Sequence, residues 1–173
     1  MDGRIRFACL LFLAGSLVLL PGAGCTPKIV LGEQDFDAGG GSDDVALADQ
    51  VIEQVNAERA SYGLPALVKN DKLTVAALGH ATRMAELGFF SHQDPETGSM
   101  PWDRAAAAGY SYVMIAENLA GGYPTVDMVV NGWMNSPGHC FNILLPGISE
   151  TGVAIYRGGP VGIYWVQLFG APQ

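Results

Sequence analysis

Apolar positions recur at helical spacing in three stretches of the chain. Between about residues 44 and 62, Val45, Ala48, Val51, Ile52 and Val55 form one stripe, with Ser42 or Asp43 placed to cap it and Gly63 to stop it. Over residues 71–87, Leu73, Ala76, Ala77, His80, Ala81 and Met84 share a face, between a capping Asn70 or Asp71 and a terminating Gly88. Val126, Val129, Val130 and Trp133 repeat the pattern over residues 125–134, and Pro101 suits the first turn of a short helix through Ala108. Elsewhere the pattern is that of strands, over residues 112–116, 149–157 and 161–169, the last two joined by the hairpin signal Gly158-Gly159-Pro160. No internal repeat is visible. The order helix, helix, strand, helix, hairpin predicts an α+β domain, an antiparallel sheet with helices packed on it.

The beginning of the 173-residue chain follows a different rule. Arg4 and Arg6 precede an uncharged apolar run over residues 7–20, and Pro21-Gly22-Ala23-Gly24 is a small-residue cleavage region. That is a secretory signal over residues 1–24, its apolar run too short to span a bilayer comfortably. Cys25 follows directly, as in a bacterial lipobox, although Gly22 stands where leucine is usual and Leu20 lies two residues earlier. The expectation is a protein lipidated at Cys25 and held outside the cytoplasm on the cell membrane or outer membrane, each buried methylene contributing about 0.8 kcal/mol. A secreted, soluble product is the alternative. Residues 25–44, with Gly39-Gly40-Gly41 and the acids Glu33, Asp35, Asp37, Asp43 and Asp44, read as an acidic, Gly-rich linker. Residues 45–173 then form one domain with a sizeable core.

Charge and cysteine content narrow the function. The formal net charge is −8, and removal of residues 1–24 leaves 7 basic and 16 acidic residues, a net −9 with no basic cluster. Nucleic acid is excluded as a partner on that balance. Cys9 leaves with the signal and Cys25 is acylated, so Cys140 has no intramolecular partner and reads as a small buried hydrophobe.

Candidate chemistry lies in three places. In residues 132–144, Pro137 and Gly138 end the preceding helix, which puts His139 just past an element end, while Asn142 and Ile143-Leu144-Leu145 anchor the segment to the core. His92 sits on a polar loop pinned by Phe89 and Phe90 and turned by Pro95 and Gly98. Glu117 and Asn118 close an apolar strand, where a carboxylate and an amide are costly unless paired. His80, on an inward stripe, reads as a core histidine satisfied by a local partner. Asn56 and Arg59 share a face of the first helix and can point at the same neighbour.

Taken together these pieces resemble the CAP superfamily, also called the SCP domain, which includes cysteine-rich secretory proteins, insect antigen 5, plant pathogenesis-related proteins and many bacterial secreted proteins. The matching residues are Asn56-x-x-Arg59, the alanine-rich helix through His80 and Met84, Gly88-Phe89-Phe90-Ser91-His92 and Ala116-Glu117-Asn118. After them come Gly132-Trp133-Met134-Asn135-Ser136-Pro137-Gly138-His139-x-x-Asn142-Ile143-Leu144, Glu150-x-Gly152-Val153 and Tyr164-Trp165-x-Gln167-x-Phe169-Gly170. The resemblance implies a three-layer α-β-α sandwich around a central, mainly antiparallel sheet. It further implies a cleft lined by His92, His139 and Glu117, with Asn118, Asn142 and Ser136 beside them. Ser136 stands where eukaryotic members carry a second glutamate, so the cleft is incomplete by that template, and Glu150 is a candidate for supplying charge nearby.

Two neutral imidazoles suit Zn2+ or another divalent metal, weakly held because two protein ligands leave most coordination positions open. Glu117 is the candidate catalytic group, as general base on bound water, or else the group that orients a histidine. Three functions follow. One is a non-catalytic binding module on the envelope for a lipid, glycan or protein ligand. The second is a metal-dependent hydrolase acting on peptides or envelope material. The third is a structural envelope protein with a vestigial cleft. Nothing in the sequence marks an oligomer surface.

Overall fold

A computed structural model describes residues 42–173. The expected signal sequence, Cys25 and nearly all of the expected linker lie outside the described residues. The elements in order are α1 (Ser42–Ser61), β1 (Val68–Lys69), α2 (Asp71–Leu87), α3 (Pro101–Ala107), β2 (Tyr112–Gly121), α4 (Val126–Met134), α5 (Pro137–Ile143), β3 (Glu150–Gly158) and β4 (Gly162–Pro172). α1 thus takes up residues 42–44, which the composition assigns to the linker. Asp43 and Asp44 sit in its first turn, where carboxylates offset the exposed N–H groups, and Asp44 also accepts from Arg157 Nε at 2.8 Å.

The four strands form one sheet in the order β1-β3-β4-β2. β3 pairs antiparallel with β4, and β4 with β2, while the two-residue β1, absent from the hydrophobic pattern, pairs parallel with β3. β4 is buried along nearly its whole length because helices cover both faces of the sheet. Its alternation sends Ile163, Trp165 and Phe169 into one core with α1, α4 and α5, and Tyr164, Val166 and Leu168 into a second core with α2 and α3. The result is the expected α-β-α sandwich. The close fit between layers depends on Gly152 of β3, where an added Cβ would lie 2.2 Å from the backbone nitrogen of Thr74.

Two local expectations change. Glu117 and Asn118 sit inside β2, which runs on to Gly121 with Glu117 opposite Leu168 and Asn118 opposite Gln167. Pro137 and Gly138 do not leave His139 beyond an element end. Pro137 occupies the first turn of α5 and places His139 within that short helix, because a proline that cannot continue one helix is pre-set to begin the next.

Candidate functional site

The site is built around the outer strand of the sheet. β2 is at the edge, so the loop on one face and the helix on the other meet around it. Successive residues of a strand point to opposite faces, and Glu117 and Asn118 use this to hold both sides. Asn118 is fully buried. Its Nδ2 donates to His139 O at 3.1 Å, and its Oδ1 accepts from Asn142 Nδ2 at 2.9 Å. Asn142 Nδ2 also donates to Glu117 O at 3.0 Å. The two amides therefore fasten α5, and the histidine it carries, to the strand.

On the other face the Glu117 carboxylate, 1% exposed, is shared between two donors. Arg104 Nη2 reaches Oε2 at 2.7 Å, and His92 Nδ1 reaches Oε1 at 2.7 Å. The carboxylate oxygen only accepts there, so His92 carries a proton on Nδ1, and the tautomer this contact selects for the neutral ring has its lone pair on Nε2. The His92 ring is half exposed. Its backbone is not loose. Arg104 Nη1 donates to His92 O at 3.0 Å and to Ser99 O at 2.9 Å. Further along the loop, buried Asp94 pairs with Arg83 and accepts from the backbone N–H groups of Glu96 and Thr97. The Arg83 guanidinium holds the Asp94 carboxyl well below the usual range.

His139 is partly buried in the first turn of α5. Burial, and then the proximity of His92, lower its pKa, which keeps the imidazole neutral at neutral pH. Beside it opens a cavity of about 420 Å³ lined by Phe90, Leu119, Tyr123, Trp133, Ser136 and Val161, with the backbone of Gly121 and Gly132 in its wall. Trp133 turns its polar atom inward, Nε1 donating to Leu119 O at 3.1 Å, and so presents a carbon face. The lining is apolar apart from Ser136, the Tyr123 hydroxyl and His139.

The six residues expected at the cleft therefore fall into connected groups. His92, Glu117, Asn118, Asn142 and His139 form a continuous chain of contacts, and Ser136 lies with His139 on the cavity wall. Glu150 does not join them; its carboxylate accepts from Tyr110 Oη at 2.6 Å and from Asn70 Nδ2 at 3.2 Å. His80 behaves as a core histidine, its Nε2 2.8 Å from Ser91 O. Asn56 and Arg59 clamp the same crossing segment: Asn56 exchanges hydrogen bonds with Leu67, and Arg59 Nε donates to Pro65 O at 2.9 Å. Arg104 is the member of the site that sequence reasoning missed. Nothing in the pattern of a short alanine-rich helix marks which neighbour its one arginine meets.

Among the described residues no group of three or more histidines, cysteines or carboxylates is arranged to hold a metal ion. The residues fit a metal in a limited sense. A histidine whose Nδ1–H is bound to a carboxylate has its Nε2 oriented for ligation, and burial lowers the His139 pKa, which favours the neutral ring a metal needs.

A model of the cysteine-rich secretory protein family, CAP, matches residues 52–169. The chain belongs to this family. It is 38% identical over 124 residues to the uncharacterized protein YkwD of Bacillus subtilis, covering 72% of this chain and 47% of that one. It is 31% identical over 108 residues to the uncharacterized membrane protein YlbC of the same bacterium, covering 62% and 31%. The chain thus spans less than half the length of these curated relatives. Among solved structures, an extracellular protein containing an SCP domain from Bacillus anthracis superposes with a TM-score of 0.69 at 26% identity, covering 74% of this chain and 41% of that one. An outer surface protein of Borrelia burgdorferi, TM-score 0.68 at 24% identity over 76% and 94% of the two chains, shares the CAP fold. The match to the family covers every element from within α1 to within β4, and so includes the whole His92, Glu117, His139 constellation.

Proposed function

We propose that this CAP domain is a non-catalytic binding module displayed outside the cytoplasm, tethered through a lipid on Cys25, and that it takes a lipid, glycan or protein ligand at the His92, Glu117 and His139 cleft. The observation that carries this reading is the commitment of both Glu117 oxygens, one to Arg104 and one to His92. A general base needs a free lone pair facing the proton it removes, and this carboxylate is enclosed by its two donors. Its role is to aim His92. The adjoining cavity supports binding, since an apolar wall with a few convergent polar groups is the common form of a ligand site. Extracellular and surface proteins among the structural neighbours support the compartment. Among the described residues no helix is long and apolar enough to cross a membrane.

The test is a thermal-shift survey of lipids, glycan fragments and peptides on the protein, repeated with Gly121→Val. A side chain at Gly121 meets Val161 and Phe90 at the cavity wall. A ligand that raises the melting temperature of the protein and loses that effect in the folded variant supports the reading. Binding that survives cleft substitution at Gly121, His92 and His139 removes it.

A second reading, a metal-dependent hydrolase, is favoured by the Nε2 edge of His92, which Glu117 does not engage, and by the lowered pKa of His139. Calorimetric titration of Zn2+ into the protein and into a His92→Ala, His139→Ala double variant tests its premise. Stoichiometric binding lost in the variant establishes the metal site and directs the search to hydrolysis abolished by chelation. Equal heats in both remove it.

A further inference from the structure

His80 and Arg104 do not line the cavity, yet between them they hold the backbone on both sides of the exposed histidine. His80 is fully buried in α2. Its Nε2 lies 2.8 Å from Ser91 O, and its ring meets Phe89 at a centroid distance of 5.7 Å. A carbonyl can only accept, so Nε2 carries the proton and Nδ1 is a lone pair. Arg104, 10% exposed, holds the next carbonyl, that of His92, and the carboxylate that receives the His92 Nδ1 proton. Adjacent peptide carbonyls are thus gripped by donors from two different helices, α2 and α3, and the same arginine fixes the acceptor of the side chain between them.

We propose that His80 and Arg104 are positioning residues that lock His92 in one orientation, with its Nδ1 proton directed at Glu117, whatever ligand the cleft receives. The proposal rests on the cleft being the binding site, but its mechanism concerns the unliganded protein. An exposed histidine on a surface loop ordinarily samples rotamers and both tautomers, and that freedom is lost on binding. Here the ordering is done in advance by groups the ligand does not touch. His80 suits the task in its neutral form. A second ring proton would put a buried N–H at Nδ1, which has no partner among the described residues, and a positive charge facing Arg104, opposed there by Glu117 and Asp94. The Arg104 fork serves because it reaches the His92 and Ser99 carbonyls and Glu117 together, which the single ammonium of a lysine cannot do.

The experiment is ring-nitrogen NMR of the 15N-histidine-labelled protein, without metal or ligand, in wild type, His80→Phe, His80→Gln and Arg104→Lys. The wild type is expected to show His92 with a protonated, slowly exchanging Nδ1. His80→Phe keeps the packing on Phe89 and removes the donor, and Arg104→Lys keeps the charge and removes the fork. In each the His92 signals should move towards the tautomer average, with faster exchange of the ring proton. His80→Gln, which retains a donor towards Ser91, should recover most of the wild-type signal. Folded His80→Phe or Arg104→Lys protein with unchanged His92 signals overturns the proposal, and if His80→Phe does not fold, Arg104→Lys decides by the same criterion. A Zn2+ titration of the same set separates the two readings. Binding weakened about 10-fold or more in the positioning variants extends the effect to the cleft, in line with substitutions behind metal-ligating histidines. Absence of Zn2+ binding in wild type counts against the metal and leaves the NMR result to stand on its own.

Discussion

Arg104 Nη2 lies 2.7 Å from Glu117 Oε2, joining the short helix α3 to the edge strand β2 beneath the exposed ring of His92. The pair is nearly closed to solvent, the two side chains being 10% and 1% exposed. Ion pairs so placed are costly to break from one side, because the charge left behind stays buried.

Glu117→Gln is therefore expected to destabilise the domain by about 3 kcal/mol, well beyond the effect of a surface substitution. Urea denaturation of the variant checks this. An unchanged midpoint would mean that the carboxylate carries no charge-pair role and is free for chemistry. In the folded variant His92 should lose its tautomer preference, since an amide can accept from or donate to Nδ1.

Arg59 is buried against the end of α5, where its Nη1 donates to Ile143 O at 2.7 Å and Nε to Pro65 O at 2.9 Å. Arg59→Met should cost about 3 kcal/mol by leaving those carbonyls unpaired. Hydrogen exchange is the discriminating measurement. Amides of α5 around Cys140 and Leu144 should lose protection before those of α2, which Arg59 does not hold.

Two glycines should respond to very different degrees. At Gly152 an added Cβ falls 2.2 Å from Thr74 N and 2.3 Å from Leu73 C, both backbone atoms, so Gly152→Ala has to push α2 off the sheet. Loss of more than about 3 kcal/mol, or failure to fold, is expected from such overpacking. At Gly132 the Cβ would meet the Tyr123 hydroxyl at 2.9 Å, the outer end of a side chain on the cavity wall. Gly132→Ala should change stability by less than about 1 kcal/mol. Its effect should appear as altered ligand affinity in the thermal-shift survey.

Acid should weaken the domain through two kinds of group whose contributions begin to fall at different pH. His80 and His139 both have folded pKa values below the ordinary imidazole value, His80 by burial and then Arg104, His139 by burial and then His92. For a depressed histidine the unfolded chain binds the proton first. The contribution to stability is complete above about pH 6.5 and declines as the pH falls through the folded values. Asp94, depressed by Arg83, contributes fully above the ordinary aspartate pKa of about 3.9, and that contribution is lost at still lower pH. Melting temperatures from pH 7.5 to 3 should show a first decline that is reduced in folded His80→Gln and a later one that is reduced in Asp94→Asn. A single unbroken decline unaffected by either substitution would overturn this assignment.

The helices and strands were largely written in local patterns. The stripe from Leu73 to Met84 and the capping Asn70, whose side chain accepts from the N–H groups of Lys72 and Leu73, define α2 without reference to the rest of the chain. Gly158-Gly159-Pro160 between two β-rich runs marks the hairpin of β3 and β4 in the same local way. The motif resemblance singled out His92, Glu117 and His139 as cleft candidates, and the fold brings them together around β2. What the sequence left open was long-range. The pairing of Val68 and Lys69 with β3 has no local signal, since two residues carry no period. Pro137 can end a helix or begin one, and the packing of α5 against β2 decided for the latter. Glu150 and Glu117 look alike in sequence, yet one lies against Tyr110 and the other beneath His92, because the faces their strands present are set by register. The Arg104 side chain joins Glu117 only when two layers are stacked. Local periodicity determines which elements form and which faces are apolar. Which polar side chains meet between them depends on tertiary packing, because those contacts join residues far apart in sequence through short-range forces that no spacing encodes.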